Sequence, residues 1–142
     1  MQKPWRGLII GSLLLAGCGQ AGRLTSATVV RVQARDVQNV TIQQAQAAIA
    51  SDPSLLVLDV REASEYEGGH IANALLRPVG SVATWSQTLA KDAHILCVCR
   101  SGHRSSIAAG QLVANGFTHV ASMTGGMMAW TAAGFPVVAG QR

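Results

Sequence analysis

Charge is scarce in this 142-residue chain: 13% of residues are Asp, Glu, Lys or Arg, against 49% apolar. That balance excludes a disordered polar tail and favours one packed domain. A run of basic residues is also missing. The net charge of +4 falls to +2 once Lys3 and Arg6 in the first six residues are set aside, so no extended electrostatic footprint for DNA or RNA exists. Cysteine is sparse: three residues with no CxxC pair, alongside four scattered histidines, give none of the spacings that hold zinc or haem. No internal repeat is visible, and the apolar stretch from Gly7 to Gly17 is too short for a helix that needs roughly 20 residues to cross a bilayer.

What is present begins with a basic start, Lys3 and Arg6, followed by that short apolar stretch, the pattern of a processed secretory leader. Leu15-Ala16-Gly17-Cys18 resembles the lipobox of bacterial lipoproteins, which implies that residues 1–17 form a signal peptide and that Cys18 is lipidated as the new N-terminus. Residues 18–36, rich in Gly, Gln, Ala, Thr and Ser without sustained periodicity, are expected to be a tether, leaving residues 37–142 as the domain. The resemblance implies an exported cell-envelope protein anchored to a membrane by acyl chains and, in a Gram-negative cell, facing the periplasm.

From Val37 onward, short apolar runs alternate with helix-like segments, which argues for an α/β domain. Val37 to Val40 reads as a first strand, and Thr41 with Gln44 forms a capping-box pattern opening a helix that Asp52-Pro53 stops. Leu55 to Val60 is almost continuously apolar, as in a central parallel strand covered on both faces, and places Asp59 near the carboxyl edge of the sheet. Arg61 to Glu67 is helix-permissive, Ala74 to Arg77 a short strand, and Ser81 to Ala90 the next helix. His94 to Cys99 and His119 to Ser122 supply the last strands; Arg104 to Asn115 and Gly125 to Ala133 supply the last helices, the latter capped by Gly134.

The chemistry concentrates where a buried strand turns into a polar loop and then a helix: Cys97-Val98-Cys99-Arg100-Ser101-Gly102-His103-Arg104-Ser105. Beyond the carboxyl end of a parallel strand, a loop points successive N–H groups toward the start of the next helix, which makes an anion cradle. That partial positive charge, with Arg100, Arg104 and His103 nearby, is expected to lower the pKa of Cys99 and supply a nucleophilic thiolate. Gly102 lets the loop curl, and Cys97, inside the strand, reads as a buried structural thiol.

Taken together, Leu58-Asp59-Val60-Arg61-Glu62, Glu65-Tyr66, Gly69-His70-Ile71, Cys99 to Ser105, and Gly125-Gly126 with Trp130 resemble a single rhodanese domain over roughly residues 38–138. The resemblance implies a three-layer α/β fold with a five-stranded parallel sheet between helices, and a sulfurtransferase whose Cys99 carries a persulfide. It implies that the amides of Arg100, Ser101, Gly102, His103, Arg104 and Ser105 hold the persulfide or the donor's oxygens, that Arg100 and Arg104 add charge, and that Asp59 and Arg61 support the loop. His70 is expected to tie a turn and Trp130 to fill the core. The expected partners are a small-molecule sulfur donor such as thiosulfate and an acceptor such as cyanide or a thiol, either small or carried on a protein, with no metal or organic cofactor. Four residues separate Cys99 from Arg104, one fewer than the loop with which phosphatases of the same fold surround a phosphate, and this disfavours a phosphatase. A rhodanese module that binds a partner or relays sulfur stays open beside the enzyme.

Overall fold

The computed structural model describes residues 36–140. The expected signal peptide, the expected lipidation site Cys18 and all of the expected tether before Asp36 therefore lie outside the described residues.

The chain opens with strand β1 (Gln38–Val40) and helix α1 (Ile42–Ser51). Both bonds of the expected capping box form: Gln44 N–H donates to Thr41 Oγ1 at 3.2 Å, and Thr41 N–H donates to Gln44 Oε1 at 2.9 Å. Asp52 leaves the helix in extended conformation ahead of Pro53, which cannot continue it. Strand β2 (Leu56–Asp59), helix α2 (Ala63–Glu67) and the two-residue strand β3 (Leu75–Leu76) follow.

Between Ser81 and Ala90 the structure departs from the single helix expected. Val79–Ser81 is a 3-10 turn, only Val82–Trp85 is α-helical (α3), and Ser86–Thr88 returns to 3-10. No side chain caps this helix, and Thr88 Oγ1 donates to the Trp85 carbonyl at 2.8 Å, a local bond of the sort that competes with helix extension. The segment is held by tertiary contacts instead. Val82 and Trp85 are buried, and Trp85 Nε1 donates to the Pro78 carbonyl at 3.0 Å.

Strand β4 (His94–Val98), helix α4 (His103–Ala114), strand β5 (His119–Met123) and helix α5 (Gly126–Ala132) complete the domain. The five strands run parallel in the order β1-β5-β4-β2-β3, with β4 at the centre between β5 and β2. Both faces of the sheet are covered, as the continuous apolar runs require. Along β4 and the residue after it, Ile95, Cys97 and Cys99 join the cluster formed with α3 and α4 (Val82, Trp85, Ala108, Leu112). Leu96 and Val98 point the other way, into the cluster of Ala45, Tyr66, Met127 and Trp130 from α1, α2 and α5. This alternation, the period of two of a strand, puts Cys99 on the α4 side at the carboxyl edge of the sheet.

Candidate active site

Cys99 follows the last residue of β4 and is 1% exposed, so the chain brings its thiol to the floor of the loop rather than onto an open surface. Gly102 N–H donates to Cys99 Sγ at 3.1 Å, and Ser105 Oγ lies 3.5 Å from the same sulfur. The loop curls back far enough because Gly102 adopts φ +102 and packs its backbone against the next turn, where a Cβ would stand 3.2 Å from Gly125 N. Helix α4 starts at once after this turn and aims its N-terminal field at the loop.

Burial alone would raise the Cys99 pKa. The Ser105 hydroxyl and the amides of Ser105, Gly102 and Ser101 outweigh it and bring the thiol below its ordinary value. The loop amides that the sequence points to are thus among the groups that lower it, joined by the Ser105 hydroxyl, which the sequence reading does not single out. Cys97, two residues back on the same face, is pushed up to about 12, first by burial and then by the charge on Cys99. The two thiols thus differ in kind: one is prepared as a thiolate, the other stays a core side chain.

The two loop arginines also separate. Arg100 is exposed, while Arg104 places its guanidinium fork on Glu65, with Nη1 and Nη2 each donating to a carboxylate oxygen at 2.7 Å. Arg104 is thus paired with a carboxylate, and the pair clamps the first turn of α4 to α2 while its charge still acts on Cys99. The Arg104 guanidinium in turn holds the Glu65 carboxyl down at about 2. His103, the first residue of α4, is exposed.

Asp59 and Arg61 form a buried pair: Arg61 Nη2 reaches Asp59 Oδ2 at 2.6 Å and Nε reaches Oδ1 at 2.9 Å. Arg61 Nη2 also donates to the Gly69 carbonyl at 2.8 Å, so the pair ties the end of β2 to the turn after α2 and braces that turn, not the Cys99 loop itself. His70 stacks on Tyr66 with centroids 3.6 Å apart and bonds the Tyr66 carbonyl through Nδ1 at 2.8 Å, the turn-tying part expected of it. Trp130 is core, 2% exposed, with Nε1 donating to the Pro136 carbonyl at 3.0 Å.

Three contributors escape the sequence reading. Glu65 appears there only as part of a motif. Gly125-Gly126 is legible as a pair, but not its use: α5 begins there, and Met127 N–H and Met128 N–H donate to the carbonyls of Cys99 and Arg100 at 2.8 and 3.0 Å. Ser122, buried in β5, donates to Ser105 Oγ at 2.9 Å; its signal in the sequence is one hydroxyl within the apolar stretch from Val120 to Met123. Beside the loop lies an open cleft of about 390 Å³ whose walls include Arg61, Arg100, Met127, Met128 and Val137. Among the described residues no group of three His, Cys, Asp or Glu is placed to hold a metal ion.

This geometry matches a known family: the Rhodanese-like domain pattern covers residues 41–133, from the cap of α1 to the end of α5. The chain belongs to the rhodanese family. A Bacillus subtilis protein named as a sulfur carrier is 35% identical over 98 residues, covering 69% of this chain and 53% of that protein, so the rhodanese chain spans about half that relative's length. A thiosulfate sulfurtransferase of Pseudomonas entomophila is 36% identical over 89 residues, 63% of this chain and 82% of that one. The crystal structure of a rhodanese-related protein from Thermoplasma volcanium superposes with a TM-score of 0.64 at 30% identity, covering 71% of this chain and 97% of its own. The parallel five-stranded sheet between helices is the rhodanese fold.

Proposed function

We propose that this rhodanese is a sulfurtransferase that moves sulfane sulfur from a donor such as thiosulfate through Cys99 to cyanide or a thiol. The observation that carries the reading is the Cys99 sulfur itself, bonded by the Gly102 amide at 3.1 Å and lowered in pKa by the amides and hydroxyl around it. In the first step the thiolate attacks the outer sulfur of thiosulfate. A new S–S bond forms, the old one breaks, and sulfite leaves with the bonding electron pair. In the second step cyanide or a thiolate attacks the outer sulfur of the persulfide, forming thiocyanate or a new persulfide and returning the electron pair to Cys99 as thiolate. The exposed Arg100 supplies positive charge for the departing sulfite oxygens, and the loop amides receive the anionic sulfur. A residue only 1% exposed admits a single protruding sulfur more readily than a tetrahedral phosphoryl group, which agrees with the short loop. The relative named as a thiosulfate sulfurtransferase supports this donor.

A second reading, relay of sulfur to a thiol protein, is favoured by the apolar Met128 and Val137, which are 55% and 44% exposed beside Arg100 at the cleft. The relative named as a sulfur carrier supports it too. Export and lipidation at Cys18 belong to the same proposal, which places the chemistry at a cell-envelope membrane.

The test is thiocyanate formation from thiosulfate and cyanide by the full chain, Cys99→Ser and Cys97→Ser. Turnover lost only in Cys99→Ser supports small-molecule transfer. Turnover that stays slow until a thiol protein is added supports relay, and activity surviving Cys99→Ser overturns both.

A further inference from the structure

Ser105 has one proton and several neighbours that could take it. Its oxygen donates to the Gly102 carbonyl at 3.0 Å, lies 3.5 Å from Cys99 Sγ, and accepts from Ser122 Oγ at 2.9 Å. Ser105 and Ser122 are 0% and 2% exposed, so water does not compete for these bonds. Ser122 lies opposite Cys97 in the register of β4 and β5, on the face that α4 covers, which brings its hydroxyl under the first turn of that helix.

We propose that Ser122 is a positioning residue for the Cys99 thiolate, acting through Ser105. By donating to the Ser105 oxygen, Ser122 occupies one lone pair and keeps the Ser105 proton for the Gly102 carbonyl or the sulfur. When Cys99 is a thiol, its S–H points to Ser105 and the Ser105 proton rests on Gly102. When Cys99 loses its proton to solvent base, the Ser105 hydroxyl turns to donate to the sulfur, and the Ser122 bond polarises that donor. The three side chains Ser122, Ser105 and Cys99 thus form a one-way chain that runs toward the negative charge. Such a chain serves any chemistry that needs a thiolate here, and it rests on the sulfurtransferase reading only for its use in sulfur transfer. Among the described residues, Arg104 on α4 and Cys97 on β4 are electrostatically coupled to Cys99, and Ser122 donates its hydrogen bond to Ser105 rather than to either.

The test compares Ser122→Thr with Ser122→Val, two side chains of nearly equal volume of which only the first keeps a hydroxyl. Iodoacetamide alkylation of the full chain is followed from pH 6 to 10, with site-resolved mass spectrometry reading Cys99 alone. Ser122→Thr is expected to follow wild type, whereas Ser122→Val raises the apparent pKa by about half a unit, roughly a threefold loss of thiolate at neutral pH. Ser105→Ala moves it at least as far in the same direction. If the extra methyl of Thr and Val prevents folding, Ser122→Ala against wild type carries the same expectation. Equal profiles for the Thr and Val variants, or for Ser122→Ala and wild type, overturn the proposal, as does an unmoved profile in Ser105→Ala. Alkylation needs no sulfur donor, so a shifted profile without sulfur transfer to either cyanide or a thiol protein would refute the sulfurtransferase reading and leave the hydroxyl chain standing.

Discussion

Replacing Gly126 by alanine should unfasten the floor of the active site. Gly126 sits at φ +58, a left-handed conformation that costs an L residue about 1–2 kcal/mol. Its Cβ would overlap the carbonyl of Cys99 and stand 2.5 Å from the carbonyl carbon and oxygen of Arg100, all backbone atoms with no flexible end to swing away. Relieving overlap in a packed site costs about 1–3 kcal/mol. Any relief moves α5 away from the loop and stretches the bonds from Met127 and Met128 to those carbonyls, each worth about 1 kcal/mol. Together these come to roughly 4–7 kcal/mol, a large part of the 5–15 or so that holds a domain together. Gly134 is the internal control: it has φ +74 but nothing within 4 Å of its Cβ, so Gly134→Ala should cost only about 1 kcal/mol. Urea unfolding of the full chain, read by tryptophan fluorescence, measures both. If Gly126→Ala costs no more than Gly134→Ala, the α5 N-terminus does not hold the Cys99 loop and the steric reasoning fails.

The Glu65–Arg104 pair should give stability a defined acid dependence. The folded Glu65 carboxyl titrates at about 2, below its ordinary value of 4.5, so its contribution is complete above about 4.5 and fades as pH falls toward 2. Both side chains are 29% exposed, so the pair is worth about 1 kcal/mol and not the full shift. Glu65→Gln should be less stable than wild type by about that amount at pH 7 and indistinguishable from it near pH 2; a gap independent of pH would refute the assignment. Cys18→Ser should move the protein from the membrane to the soluble fraction when the full sequence is expressed in a bacterium that lipidates secreted proteins, and an unchanged distribution would remove the lipid anchor from the proposal.

Much of the site was readable because it is local. The apolar run to Cys99, the left-handed glycine three residues on and the helix that starts at His103 are all encoded within a dozen consecutive positions, and the structure keeps them adjacent. Thr41 and Gln44 were readable for the same reason. What escaped comes from elsewhere in the chain. Nothing near Arg104 indicates that Glu65, 39 positions earlier, will take both of its donor nitrogens, and nothing near Cys99 indicates that the amides of Met127 and Met128 will hold its loop. The broken segment after Pro78 escaped because Trp85 anchors on the Pro78 carbonyl, a tertiary bond that outweighs helical spacing.

The pairing of β1 with β5 has a consequence for how the protein comes into being. The first strand of the domain finds its neighbour only in the last, and the carbonyls of Cys99 and Arg100 meet their donors only when α5, later still, has docked. Contacts so distant in sequence are formed late and slowly. A nascent chain therefore carries these thiols uncovered until nearly the whole domain has emerged, and oxidation during that interval meets Cys97 and Cys99 alike. Completion of the fold is what makes one cysteine inert and the other selective, so an oxidant present during synthesis should mark both residues and one added afterwards only Cys99.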